Sequence, residues 1–187
     1  MKYIKAFEND QDYVNNKLLF SIRNNDVADV ILYINNGADK NLITNDGRVA
    51  LVYAIDYNRG EEYLGVIKEL IKRNVNINIA DDAGLTPLHH ALYKENINII
   101  KLLIENNVEL NNIDKNGRTP LIMVAEYNRI ETAYLLIDAG ADWNIANNNN
   151  ETFLEIFPEK NREKIINKYP DMYKKYLMIE NTKKFNL

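Results

Sequence analysis

The sequence predicts an all-α fold built from stacked helix-turn-helix units, and two observations lead to this fold class. The segment Asp81–Leu92 (DDAGLTPLHHAL) has a second version at Asp114–Ala125 (DKNGRTPLIMVA), with Asp, Gly and Thr-Pro-Leu at the same offsets. Apolar residues then follow each Thr-Pro at the i, i+3, i+4 spacing of one helix face. A repeat of roughly 20 to 50 residues at a fixed period is typical of repeat architectures.

The repeat has a period of thirty-three residues, the distance between Gly84 and Gly117. Stepping back from Gly84 reaches Gly47 only if four extra residues are counted, and this surplus falls at Asn58–Gly65. We expect it to lengthen the connection between the two helices of that repeat. The first copy lacks its opening phrase. These observations predict one array over residues 1–187, with about five repeats at approximately 12–43, 44–80, 81–113, 114–146 and 147–169, the outer ones degenerate, and a C-terminal helical extension at 170–187.

Each copy consists of a turn followed by two short helices. In the third copy, Thr86 supplies a capping hydroxyl before Pro87, whose fixed φ suits the first helical position. The second helix should end near Asn106–Asn107, where the fourth copy has Gly140, a helix terminator. Helices this short are marginal alone, so they must stack on neighbouring copies. The predicted apolar faces comprise Leu88, Ala91 and Leu92 in the first helix, and Ile97, Ile100, Leu103 and Ile104 in the second.

The C-terminal segment Pro158–Leu187 is basic, with eight Lys or Arg against four acids, whereas the rest of the chain is acidic. Such an asymmetry is typical of a tail that meets an acidic surface or a nucleic acid. However, Pro170 should end the preceding helix, and an apolar stripe at helical spacing follows it. A helix pair that caps the last repeat is the simpler interpretation. The stripe consists of Met172, Tyr173, Tyr176 and Leu177.

Composition excludes several function classes. The chain has no cysteine, which rules out disulfides, a thiol nucleophile and cysteine-ligated metals. The net charge of −4 argues against general nucleic-acid binding. No stretch approaches about 18 apolar residues, and the N-terminus becomes acidic where a signal peptide would be apolar. We therefore expect no membrane contact and a cytoplasmic location, the cytosol of a host cell included if export follows a route without a cleavable signal.

The repeated residues resemble those of ankyrin repeats. The resemblance is carried by the Gly-x-Thr-Pro-Leu-His-x-Ala opening of the third copy, the Leu-Leu pairs of the second helices and the Gly-Ala-Asp-x-Asn ending. It covers about Asn16 to Pro158. Asn74 and Asn107 stand where glycine is usual in the family, and asparagine tolerates the left-handed conformation. The resemblance implies a repeat solenoid that binds another protein and has no enzymatic activity, cofactor or metal.

The two histidines of the chain, His89 and His90, lie near Glu95 and raise the alternative of a catalytic or metal site. Adjacent helical residues point about 100° apart, so the two imidazoles should not converge as a ligand pair would. The resemblance implies instead that His89 links neighbouring turns by hydrogen bonds. Carboxylates such as Asp81, Asp82 and Asp114 recur at turn positions, where they accept backbone N–H bonds. We expect no enzyme.

The resemblance also implies where a partner protein binds, because in ankyrin arrays the turn tips and the exposed side of the first helices form a concave surface. Tyrosine is enriched in binding hot spots, and Tyr57, Tyr93 and Tyr127 fall at the same or adjacent repeat positions. The positions carried over to this chain are Arg23, Asn24, Asn45, Asp46, Arg48, Asp56, Tyr57, Asp82, Ala83, Leu85, Tyr93, Lys94, Lys115, Asn116, Arg118, Glu126, Tyr127, Asn148, Asn149 and Glu151.

The identity of the partner stays open at this stage. An inhibitor or immunity protein that blocks one enzyme or toxin fits a compact chain of this kind, and so does a microbial or viral protein that engages host factors. We expect a monomer or a heterocomplex, with no small-molecule substrate. Binding of nucleic acid by the basic C-terminal tail is the remaining alternative, and it would weaken steeply with salt.

Overall fold

The computed structural model of the protein describes residues 10–57 and 64–185, in which eleven helices form and no strand. Two isolated β-bridges, Ile43–Val49 and Ala146–Thr152, occur in turns between helices. The predicted all-α fold is therefore confirmed. The chain forms two compact units, one up to Glu109 and one from Leu110 onward.

The first unit contains three helix pairs. The helices are α1 (Gln11–Arg23), α2 (Val27–Asn35), α3 (Ala50–Tyr57), α4 (Leu64–Lys72), α5 (Pro87–Tyr93) and α6 (Ile97–Glu105). Within this unit, α1 packs on α2 and α3, α3 packs on α4 and α5, and α5 packs on α6. The core between them is aliphatic, with Leu18, Ile55 and Leu92 almost fully buried. The apolar faces at helical spacing thus meet in a common core, as the short helices require.

The second unit contains one full helix pair, a shorter pair and the C-terminal helix. The helices are α7 (Pro120–Glu126), α8 (Ile130–Asp138), α9 (Phe153–Ile156), α10 (Glu159–Lys168) and α11 (Pro170–Phe185). Here α7 packs on α8 and α9, while α10 packs on α8 and α11. Phe153 and Phe157 meet edge to face, with ring centroids 5.3 Å apart, in the buried core. The predicted C-terminal helical extension is confirmed and begins at Pro170.

Local side-chain chemistry sets where the helices begin and end. The predicted Thr86–Pro87 start of α5 is present, with Thr86 at the N-cap and Pro87 in the first turn. At the start of α7, the Thr119 hydroxyl accepts the N–H of Ile122, and Pro120 follows in the first turn. At the other end of the helices, Asn74 and Asn107 adopt positive φ values of 55° and 59°, so the prediction of left-handed asparagines is confirmed. The surplus predicted at 58–65 falls mostly on residues 58–63, outside the described residues, and α4 has begun by Leu64.

An asparagine near the end of each of three successive repeats bonds to the backbone of the next repeat within the same unit. Asn41 Oδ1 accepts the N–H of Asn76 at 2.7 Å, and Asn78 Oδ1 accepts that of Glu109 at 2.9 Å. In the second unit, Asn111 Oδ1 accepts from Asp142 at 2.9 Å. In each bond, the amide oxygen takes the place of water at a backbone N–H. The bonds therefore hold the end of one repeat next to the end of the following repeat.

Candidate functional site

The turns that precede the first helices share one hydrogen-bond pattern. We call them tips 2 to 5. In tip 3, Asp81 N–H donates to Leu85 O at 3.0 Å, and Asp81 Oδ1 accepts the N–H groups of Ala83 and Leu85, both at 2.9 Å. Asp114 accepts two N–H groups in the same way, so the predicted role is confirmed for Asp81 and Asp114. Tips 2, 3, 4 and 5 are residues 44–48, 81–85, 114–118 and 147–151.

Successive tips contact each other within each unit. A Cβ added to Gly47, whose φ is +77°, would lie 2.5 Å from Asp82 Oδ2, so tip 2 abuts tip 3 closely. In the second unit, Asn148 N–H donates to Asn116 O at 3.3 Å, and Asn148 Nδ2 donates to Lys115 O at 3.2 Å. The tip residues therefore have defined positions relative to their neighbours in the same unit.

An arginine connects the tip to the first helix in two repeats. Arg48 forms an ion pair with Asp46 in tip 2, and its Nη1 lies 3.2 Å from Asp56 Oδ2 in α3. The equivalent Arg118 pairs with Asp114 at 2.7 Å and with Glu126 in α7 at 2.9 Å. Both bonds to the helix span eight residues along the chain. Tips 2 and 4 are thus each attached to their own first helix by a charged group.

Burial and hydrogen bonding shift the pKa of two of these carboxyl groups in opposite directions. Burial acts to raise the pKa of the Asp114 carboxyl, but hydrogen bonds from the Arg118 side chain and backbone lower it below its ordinary value. The Asp56 carboxyl shows the same balance, with His90 and Arg48 as its donors and a lowered pKa. Both carboxyls are therefore ionised at neutral pH.

His90 connects two repeats of the first unit. Its Nδ1 lies 3.3 Å from Asp56 Oδ1 on α3, and its Nε2 lies 2.9 Å from Asp81 Oδ2 on tip 3. Burial acts to lower the pKa of the imidazole, but the hydrogen bonds to the two carboxylates outweigh it and raise the pKa. Lys94 Nζ, 3.9 Å from Asp56, adds a further positive charge.

His89 has a different environment from its neighbour. The ring is fully buried, its Nδ1 accepts the N–H of Thr86 at 3.2 Å, and the Thr86 hydroxyl lies 2.9 Å from the same nitrogen. His89 therefore caps the start of α5, and the neighbouring His90 bonds to Asp56 and Asp81. Among the described residues, no group of three or more His, Asp or Glu side chains is arranged to bind a metal ion.

The three tyrosines named by the sequence differ in their surroundings. Tyr93 and Tyr127 are 62% and 40% exposed, respectively. The Arg129 guanidinium lies 4.8 Å from the centre of the Tyr127 ring. Tyr57 is half-buried, with its ring 4.5 Å from that of Tyr53 and 5.5 Å from the Arg23 guanidinium. Tyr57 is thus a packed residue, whereas the rings of Tyr93 and Tyr127 are more exposed.

None of the predicted partner-binding residues is buried. Tyr53 and His90 occupy equivalent repeat positions, three residues before the carried-over Asp56 and Tyr93, and are not among the predicted partner-binding residues. Arg48, Asp56, Tyr57, Leu85 and Arg118 are half-buried, and Arg23, Asn45, Asp46, Asp82, Tyr93, Lys94, Lys115, Asn116, Glu126, Tyr127, Asn148 and Asn149 are exposed.

Comparison with known families gives a match to a model described as ankyrin repeats in three copies, over residues 60–147. No curated protein matches the chain. Along the described part of the chain, every helix is too short or too polar to span a membrane.

Proposed function

Because this chain is an ankyrin-repeat protein, and such repeats are generally protein-interaction modules, we propose that it binds a partner protein through its tips and first helices. We call the exposed and half-buried residues of tips 2 to 5 and of helices α3, α5 and α7, together with Lys94 and Tyr127 directly after α5 and α7, the recognition surface. Each compact unit presents its own part of this surface. The proposal assigns the contact to side chains and involves no catalytic step.

Rigid attachment of the tips supports the proposal. Arg48 and Arg118 join their tips to α3 and α7 through Asp56 and Glu126, at 3.2 and 2.9 Å. Side chains that are already ordered lose less conformational entropy when a partner binds. A surface with its charged groups fixed in advance is therefore suited to specific recognition.

The observation that carries the proposal is the exposure of Tyr93 and Tyr127 beside these ordered charged groups. Tyr93 lies three residues after His90, which bonds to Asp56 and Asp81, and Tyr127 directly follows Glu126. Tyrosine buries a large rigid surface and retains a polar tip, which makes it frequent in binding hot spots. A bound partner would bury the surface of these two rings that the fold leaves exposed.

The test is affinity capture of the partner from cells that produce the protein, with Tyr93→Ala and Tyr127→Ala compared separately with the unmodified chain. Capture of the same protein should fall about tenfold or more for a hot-spot tyrosine. Tyr57 is left unchanged because its ring packs on Tyr53 and Arg23, so that its loss would disturb the fold.

Leu32→Ala is the matched control, since Leu32 is a large apolar residue, 48% exposed, on the second helix α2. It should capture the partner as well as the unmodified chain does. Equal capture of the partner by the unmodified chain and all three variants would contradict the assignment of the contact to the recognition surface.

A further inference from the structure

A cleft of about 510 Å³ lies in the first unit between α1 and tip 2. One side is a stripe along α1 that includes Asp12, Asn16 and Leu19, at the i, i+4, i+7 spacing of one helix face. The other side is formed by Ile43, Asp46 and Tyr53. The cleft is continuous with the recognition surface, because Asp46 belongs to both.

The repeat architecture explains why this space is open. Tip 3 abuts tip 2 on one side, where a Cβ on Gly47 would meet Asp82. In the second unit, Asn148 of tip 5 occupies the corresponding place against Gly117. Tip 2 has no such neighbour among the described residues on its other side, since the first repeat lacks a tip and α1 begins at Gln11. The cleft takes the place of the missing tip.

The chemistry of the lining is specific. Leu19 and the exposed Ile43 supply apolar walls, whereas Asn16 and Tyr53 add polar atoms. Two carboxylates, of Asp12 and Asp46, line the cleft, and its lining contains no lysine or arginine. The lining therefore combines apolar walls for an aliphatic stem with negative charge for a cationic head.

The two carboxylates have different partners. Asp46 accepts hydrogen bonds from the Thr44 hydroxyl and from Arg48, which lower the pKa of its carboxyl and fix its orientation. Asp12 forms no ion pair among the described residues, and it lies in the first turn of α1. Asp12 is thus the carboxylate whose charge a ligand can neutralise.

We propose that this cleft binds one arginine side chain of the partner protein. The inference rests on the proposed function, since the arginine would belong to a protein bound at tips 2 and 3. Arginine fits better than lysine because its planar guanidinium bonds to carboxylates and amide oxygens in several directions at once, and because it is less strongly hydrated than an ammonium group. Its three methylenes would lie against Leu19 and Ile43.

The test is a titration of the ¹⁵N-labelled full chain with acetyl-Gly-Gly-Arg-Gly-Gly-amide, followed by NMR. The matched probe carries citrulline, which keeps the shape of arginine and removes its charge. The arginine peptide should shift the amide signals of Asn16, Ile43 and Asn45 and bind about fivefold more tightly than the citrulline peptide. The difference should shrink as salt is added.

Asp12→Asn should weaken binding of the arginine peptide about threefold and leave the citrulline peptide unaffected. Glu131→Gln is the matched control, because Glu131 is an exposed acid in the first turn of α8. This change should alter the affinity for neither peptide. Equal affinity for the two peptides, or signal changes confined to other residues, would overturn the assignment. Because the two-peptide comparison uses the unmodified chain, it does not depend on how a variant folds.

A second outcome would also overturn the assignment. If the arginine peptide binds only after Lys2→Ala and Lys5→Ala, the first residues of this chain are the occupant of the cleft. Failure of the titration leaves the capture experiment unaffected, because that experiment depends on Tyr93 and Tyr127. Conversely, Tyr93→Ala should bind the arginine peptide normally, so failure of the proposed function is distinguishable from failure of the cleft.

Discussion

The side-chain nitrogen of Asn144 donates a hydrogen bond to the Asp142 carboxylate at 2.9 Å, which leaves the Asn144 oxygen buried and without a donor among the described residues. In the preceding repeat, Asn111 Oδ1 accepts the Asp142 backbone N–H at 2.9 Å. The two asparagines occupy the same repeat position, thirty-three residues apart. The series of bonds between repeats therefore includes Asn111, whereas Asn144 bonds within its own repeat.

Asn111→Ala should destabilise the protein more than Asn144→Ala. The first change removes an acceptor from the Asp142 N–H, at a cost of about 1 kcal/mol in the free energy of unfolding. The second also removes a buried polar atom that has no donor, which offsets part of its cost. Urea unfolding of both variants measures the difference. A larger loss for Asn144→Ala would mean that its oxygen does find a donor in solution.

Stability should depend on pH through His90. Its pKa is raised in the folded state, so its contribution is fully present below the unfolded pKa, about 6.5, and is lost as the pH rises through the folded value. At higher pH a neutral ring would face two carboxylates with a single N–H donor. Asp56 acts in the opposite sense, because its pKa is lowered and its contribution is lost on acidification, below about pH 4.

His90→Gln is the variant that checks this pH dependence. It should lower the free energy of unfolding by about 1–2 kcal/mol at pH 5 and by less at pH 8. Thermal or urea unfolding across this range gives the comparison. A penalty of the same size at both pH values would show that the imidazole charge contributes nothing.

Loss of Arg118 should cost more than loss of the equivalent Arg48. Arg118→Met leaves the Asp114 carboxylate, whose side chain is 2% exposed, without its cation, at a cost of about 2–3 kcal/mol. Arg48→Met affects Asp46, which is half-exposed, and Asp56, which retains His90 and Lys94. We expect less than about 1 kcal/mol for Arg48→Met. Equal midpoints in urea would contradict the ranking.

The C-terminal helix should stabilise the second unit through Met172. This side chain is 8% exposed, whereas Met178 on the same helix is 70% exposed. Met172→Ala should lower the free energy of unfolding by about 2 kcal/mol, and Met178→Ala should change it little.

Deletion of residues 170–187 should likewise lower the melting temperature. An unchanged melting temperature together with lost partner capture would instead make the helix a binding element.

Patterns within a few residues were predictable. The Thr86-Pro87 start of α5, the left-handed Asn74 and Asn107, and the break between α10 and α11 at Pro170 were all expected and are present. They depend on caps, fixed φ values and i to i+4 contacts, which the sequence shows directly. The apolar stripe predicted after Pro170 holds only in part, because Met172 is buried and Leu177 is 41% exposed.

By itself, the sequence determined the repeat period, the all-α class and the turn chemistry, since each depends on neighbours along the chain. Only the tertiary structure decided that His90 bonds to Asp56, thirty-four residues away, and that Tyr57 is packed while Tyr93 is exposed. It also showed the cleft beside tip 2. These features depend on distances between separate helices, and such distances are set by packing that no local pattern encodes.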